Sequence, residues 1–363
     1  MNILVGMWHP AHVHTFRNVI KELEEKGHEI KVVAIDKDIT LDLLNSYRID
    51  YDVVGRSPKG ILRKRIHYFT IIQRMIRIAN KFNPDILISR TSMMVYPIRQ
   101  LFDIPSILFK DDSVSLSNSK SSISYADFVF TPQDCNSSTR TNNHIKLPTF
   151  KELAYLHPNN FSPNIASLED YKSKISNKII IIRFVGWEAW HDQGRHGFDL
   201  ENKKSLIDKL DEFGDVNITS EKELPEELQK YRLDIPPDKI HDFLYYADLF
   251  VGDSQTMTTE AAVLGTPAIR CNSFVGDDDM SNFIELEEKY GLIYNYREPK
   301  KAIQKAVELI QKPNLKEKWN EKRKKLIEDK IDLSAFLTWF IDNYPESVDK
   351  LEKNKDIIWE VGQ

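Results

Sequence analysis

Short apolar runs recur along this chain, and most are followed by a stretch with helical periodicity. MNILVGM leads into HVHTFRNVIKELEEKGH, where Val13, Phe16, Ile20 and Leu23 share one face and Gly27 closes the pattern. EIKVVAI, PDILIS, IPSILF and ADFVFT extend the series, and KIIIIRFV, VNITS, DLFVG, TPAIRC and GLIYNY form a second one. Runs separated by helices are joined by crossovers rather than hairpins, so the pattern predicts parallel sheets covered by helices. The expected fold class is α/β, as two doubly wound, Rossmann-like domains facing a cleft.

A chain of 363 residues exceeds one ordinary core and suits two. The polar stretch HPNNFSPNIASLEDYKS separates the two series, giving expected domains 1–165 and 166–335, with a helical tail 336–363 packing back toward the first. Up to residue 165 there are 21 Lys+Arg against 16 Asp+Glu, and beyond it 29 against 39, so the first half is the one suited to an anionic surface. No nucleic-acid partner is expected. Cys135 and Cys271 are the only cysteines and form no C-x-x-C, which excludes a disulfide framework. The N-terminus has no basic segment and its apolar run stops at His9-Pro10, and no run approaches the roughly 18 apolar residues of a membrane span. The expected location is cytoplasmic.

VGDSQTMTTEAAVLGTPAIR, residues 251–270, carries the densest chemistry. A strand turns into a helix through Asp253-Ser254-Gln255, and ligands of open parallel sheets sit at such turns. A helix N-terminus offers unpaired N–H groups and a partial positive charge to a phosphate, to which Ser254, Thr256 and Thr258 add hydroxyls. Glu260 is no capping-box partner, because the residue three before it is Met257, and a ribose hydroxyl pair is a natural target for its carboxylate. The competing reading is a capped core helix with no ligand.

WHPAHVHTF is the second candidate. His12 falls at the start of a helix, whose N-terminus disfavours imidazolium and keeps the ring neutral for general-base work; His9 and His14 are further acceptor-side candidates. A purely structural histidine cluster is one rival reading and zinc another, but Pro10 and the amphipathic helix suit a loop-to-helix turn better than a zinc site, and no metal or cofactor is expected. The loop FVGWEAWHDQG offers Arg183 and His191 to phosphates and Trp187 or Trp190 to a sugar or base. Asp111 and Asp112, after Lys110 at a strand end, are acceptor candidates, and Arg270 either approaches the donor or pairs with an acid. Asp277-Asp278-Asp279 reads as a solvated charge run. From Val53 to Pro84 there is no acidic residue while Arg56, Lys59, Arg63, Lys64, Arg65, Arg74, Arg77 and Lys81 accumulate among apolar residues. Residues 56–81 are thus either a buried helix with a basic rim or a peripheral contact with the inner face of a membrane.

DSQTMTTEAAVLGTPAIR, together with HPAHVHTFRNVI, PDILISRTSMMVYPIRQLFDIPSI, KELAYLHPNNFSPN and KYGLIYNY, resembles a family of predicted glycosyltransferases, domain of unknown function 354, with the two-domain GT-B fold. More distantly the chain is similar to UDP-N-acetylglucosamine 2-epimerases and to the transferase that adds N-acetylglucosamine to the lipid-linked peptidoglycan precursor. The resemblance implies a metal-independent glycosyltransferase. Its nucleotide-sugar donor, a UDP-sugar foremost, would sit on the second domain and its glycan or lipid-linked acceptor on the first, serving cell-surface polysaccharide synthesis. It implies a diphosphate at Ser254, Gln255, Thr256 and Met257, ribose at Glu260, base contacts from Ile235 to Ile240, and His12-Val13 as the histidine and following aliphatic residue of the first turn. Asp253-Ser254-Gln255 departs from the Gly-Gly pair of many relatives. A 2-epimerase or hydrolase acting on the same donor, and a non-catalytic nucleotide-sugar binding protein, are the alternatives.

Overall fold

The structure, a computed structural model of the chain, describes residues 1–56, 61–111, 126–135, 143–174, 177–186, 196–276 and 279–363. Its contacts divide it into two compact units, Met1–Asn160 with Lys330–Gln363, and Phe161–Asp329.

Unit 1 is built on β1 (Asn2–Met7), β2 (Glu29–Asp36), β3 (Tyr51–Arg56), β4 (Ile86–Ser89), β5 (Ser106–Phe109), β6 (Phe128–Pro132) and β7 (His144–Leu147). They pair in parallel in the order β3-β2-β1-β4-β5-β6-β7. The connections include α1 (Pro10–Glu25), α2 (Thr40–Ser46), α3 (Ile61–Phe82) and α4 (Ser92–Phe102). The face expected of α1 is the one it buries, with Val13, Phe16, Ile20 and Leu23 inside. The basic α3 buries Ile71, Met75 and Ala79, spaced one turn apart, in the core with Val54 and Met94. Its Phe69, Arg74, Arg77 and Lys81 are exposed, Phe69 to 66%. Helix Leu333–Asp342 completes this unit by setting Phe336 and Phe340 edge-on to Phe130, at 5.4 and 5.0 Å between ring centroids. Both rings are fully buried, each worth about 2 kcal/mol of apolar transfer.

Unit 2 is built on β8 (Lys178–Phe184), β9 (Gly214–Ser220), β10 (Leu249–Gly252), β11 (Ala268–Cys271) and β12 (Ile293–Tyr296), parallel in the order β12-β11-β10-β8-β9. β8 reads Ile179 to Ile182 without alternation because a central parallel strand is covered on both faces. Helix Gln255–Leu264 is buried from Met257 onward, which Ala261 and Ala262 permit by letting it lie close to the sheet. It stops at Gly265, whose φ of 79° is left-handed and costs glycine nothing.

In each sheet the strand order reverses beside the first strand, between β1 and β4 in unit 1 and between β8 and β10 in unit 2. Connections leave such a point on opposite faces and open a crevice at the strands' carboxyl ends.

Candidate functional site

At the crevice of unit 2, β10 ends in Gly252 and hands over to Asp253 and Ser254. Asp253 is buried and ties the strand ends together. Its Oδ1 accepts from Val185 N at 2.8 Å, its N–H donates to Arg183 O, and its carbonyl accepts from Asn272 Nδ2 at 3.0 Å. The chain passes over it at Gly197, where a Cβ would lie 2.1 Å from Asp253 Oδ2. The departure at Asp253 is therefore a brace, with Oδ1 held by the β8 end.

Ser254 caps the helix, its Oγ accepting from Met257 N at 3.3 Å. The first N–H groups of a helix have no acceptor within it, so those of Gln255 and Thr256, both half-buried, are the main-chain donors at the mouth. Thr258 is not at the mouth: its hydroxyl is fully buried and donates to Ser254 O at 2.6 Å. Glu260 is buried in the second turn, with Oε1 at 3.1 Å from Nε2 of His241, which lies on helix Ile240–Tyr246. Arg183 pairs with Glu221 at 2.9 Å. Arg270 is fully buried, bonds Asp279 and Asn295, and lies on Phe283, so of its two expected roles the structure describes the pairing with an acid. Trp187, Trp190, His191, Asp277 and Asp278 lie outside the described residues, as does Asp112 in unit 1.

At the crevice of unit 1, His9 caps α1, its Nδ1 accepting from Ala11 N, and Pro10 opens the first turn. His12 is half-buried. Burial and then Arg90, His9 and Lys110 push its pKa well below 6.5, with Asp111 opposing, so the ring is neutral at pH 7. Its Nδ1 accepts from Trp8 N at 3.3 Å, which leaves the proton on Nε2. The neutral state agrees with a base, but the tautomer does not: Nε2 is a donor until the ring gives up Trp8.

Arg90 follows β4, and its guanidinium reaches Thr15 Oγ1 on α1 and bonds Asp111 after β5. Lys151 Nζ meets the other Asp111 oxygen at 2.7 Å and Glu152 at 3.1 Å. Burial alone would raise the Asp111 pKa, but the two cations hold it well below the usual carboxylate range. Asp111 is thus a fixed anion, with no proton to give near neutrality. His14, although only two residues from His12, stacks on Tyr155 at 5.1 Å and approaches Tyr47 Oη at 3.4 Å on the inner side of α1. Among the described residues no group of three or more His, Cys, Asp or Glu is arranged to hold a metal, and no helix is long and apolar enough to cross a membrane.

Two parallel α/β units, with sheets of seven and five strands, place the chain in the GT-B fold. Similar solved structures include the S. aureus MnaA–UDP co-structure (TM-score 0.65, 14% identity, covering 96% of this chain and 98% of that one) and UDP-GlcNAc 2-epimerase from Neisseria meningitidis bound to UDP-GlcNAc (TM-score 0.62, 15%, 98% and 100%). The spinosyn rhamnosyltransferase SpnG complexed with thymidine diphosphate is a third (TM-score 0.56, 11%, 91% and 96%).

The chain belongs to the DUF354 family, described as a protein of unknown function, whose pattern matches residues 1–334. It is also 21% identical over 291 residues to the uncharacterized protein MJ0665 of Methanocaldococcus jannaschii, spanning 75% of this chain and 82% of that protein. The fold class and the family read from the sequence both hold.

Proposed function

We propose that this protein is a metal-independent glycosyltransferase that takes a sugar from a nucleoside-diphosphate sugar, a UDP-sugar foremost, and passes it to a glycan or lipid-linked acceptor. The carrying observation is the N-terminus of helix Gln255–Leu264 at the β8–β10 switch point, with the Glu260 carboxylate one turn and a half in. Gln255 and Thr256 N–H groups and the Ser254 hydroxyl receive the diphosphate, and Glu260 receives the ribose. UDP and thymidine diphosphate in the similar structures support that ligand class.

On unit 1 the acceptor hydroxyl approaches His12. The hydroxyl oxygen bonds to the anomeric carbon, the bond from that carbon to the diphosphate breaks, and the leaving group takes the electron pair. The proton passes to Nε2 of His12 in its Nδ1–H tautomer, reached by releasing the long bond from Trp8. Charge developing on the diphosphate is met by the helix N-terminus. Peripheral membrane contact through residues 56–81 suits a lipid-linked acceptor and is supported by the exposure of Phe69, Arg74, Arg77 and Lys81 on one helix, α3.

The test is a thermal-shift and calorimetric screen against UDP, GDP, CDP, dTDP and their sugar conjugates. One nucleotide is expected to stabilise the protein, by about 2.7 kcal/mol at a hundredfold excess over Kd, and less so in Glu260→Ala. Absence of any response in folded protein would return this helix to a capped core element. Turnover of the bound sugar nucleotide without acceptor would make the protein an epimerase or hydrolase instead.

A further inference from the structure

The pairing of Glu260 with His241 carries a consequence for which nucleotides this site takes. His241 is buried to 1% exposure, and its Nε2 faces Glu260 Oε1 at 3.1 Å. With a carboxylate as acceptor, Nε2 carries the proton, and that bond fixes the carboxylate's rotation. A carboxylate has about four lone-pair sites on its two oxygens, and the bond to His241 occupies a single one of them.

The helix that carries His241 is fastened at both ends. Pro236 and Pro237 precede it, and Asp242 Oδ1 next to His241 accepts from Asn164 N at 2.9 Å. At its C-terminal end Lys316 Nζ bonds Tyr245 O and, at 2.8 Å, Ala247 O, while Thr266 Oγ1 donates to Leu244 O. The edge of Phe161 lies against the imidazole, with ring centroids 6.4 Å apart. A histidine held this firmly orients its partner before any ligand arrives.

We infer that His241 is a positioning residue that presents Glu260 to a vicinal ribose diol, so that the site takes ribonucleoside diphosphates and discriminates against their 2′-deoxy counterparts. This rests on the donor-site reading above. An acceptor set to receive two hydroxyls loses one of them with a 2′-deoxyribose, and a buried polar group left without its partner is what makes such sites selective.

The experiment is calorimetry on the full chain with UDP, GDP, CDP and ADP, followed by the 2′-deoxy form of whichever binds, repeated in His241→Leu, His241→Gln and Glu260→Gln. The wild type is expected to prefer the ribose form by about tenfold or more. His241→Leu should cut that preference to within about twofold by weakening the ribose form while leaving the deoxy form unchanged, and His241→Gln, whose amide donates over a similar reach, should restore part of it. A purely structural role would weaken both forms together and keep the ratio. That result, or a wild type indifferent to the 2′-hydroxyl, would overturn the inference while leaving the donor site standing. Failure of every nucleotide to bind folded wild type would remove the donor site, and this role of His241 with it. If His241→Leu does not fold, the ratios in His241→Gln and Glu260→Gln decide: an undiminished preference in both overturns the inference.

Discussion

At the switch point of unit 1 the side chains around His12 include Arg90, Lys110, Asp111 and Lys151, all largely withdrawn from water, whereas the helix mouth of unit 2 presents Ser254, Gln255, Thr256 and main-chain N–H groups. Withdrawn charges persist only when paired, so the first site is also a structural joint between β4, β5 and Lys151. A hydroxyl or an N–H at a helix end is satisfied by water when no ligand is bound, so the second site stands empty at little cost. Equivalent positions in two sheets of the same kind therefore couple differently to stability.

The sharpest test of that contrast is Asp111→Asn, which leaves Arg90 without its anion and Lys151 with Glu152 alone. A loss of about 3 kcal/mol is expected in urea denaturation, and a loss under about 1 kcal/mol would mean that solvent screens the joint. Ser254→Ala should cost only about 1 kcal/mol, the value of a helix cap, and a loss as large as that of Asp111→Asn would erase the distinction.

The smallest effect is on pH dependence. The folded-state pKa of His12 lies below 6.5, so as pH falls through that value the unfolded chain takes up a proton first and stability declines. The lowered carboxyl of Asp111 acts in a different window, stabilising above the ordinary carboxylate pKa and losing that contribution only in stronger acid. His144 is also lowered by burial and contributes to the same slope as His12. The difference between wild type and His12→Gln from pH 7 to pH 5 therefore isolates His12, with the wild type losing more stability on acidification. Identical slopes would mean that the ring titrates normally.

Most of the strands that the sequence reading reached are buried on both faces, because a continuous apolar run such as Ile179 to Ile182 survives any choice of neighbours; β9 and β12, at the edges of the five-stranded sheet, were reached through shorter apolar runs that are only partly buried. β3 and β7 lie at the two edges of the seven-stranded sheet, and their mixed patterns, YDVVGR and HIKL, carry no such run. The turn at Ser254 was legible because cap, small residues and Gly265 stop fall within one helix. Arg90 was not singled out, although a signal existed: ILIS closes on a lone arginine as SILF closes on Lys110 and Asp111, each a charge just beyond a buried parallel strand. Lys151 and His241 carry no such mark, since each acquires its partner from an element brought alongside only by folding. The same limit applies to the His12 tautomer, which depends on where Trp8 N–H points.

Helix Leu333–Asp342, which supplies Phe336 and Phe340 to the aromatic core of unit 1, lies beyond the whole of Phe161–Asp329 in the chain. A ribosome making this protein therefore emits every residue of unit 2 before the piece that closes unit 1. The half translated first waits, with Phe128 and Phe130 still uncovered by those two rings, for a half translated later. The usual order, in which the N-terminal domain settles first, is reversed for the final step, and the growing chain offers a chaperone one specific aromatic surface until residue 340 has emerged.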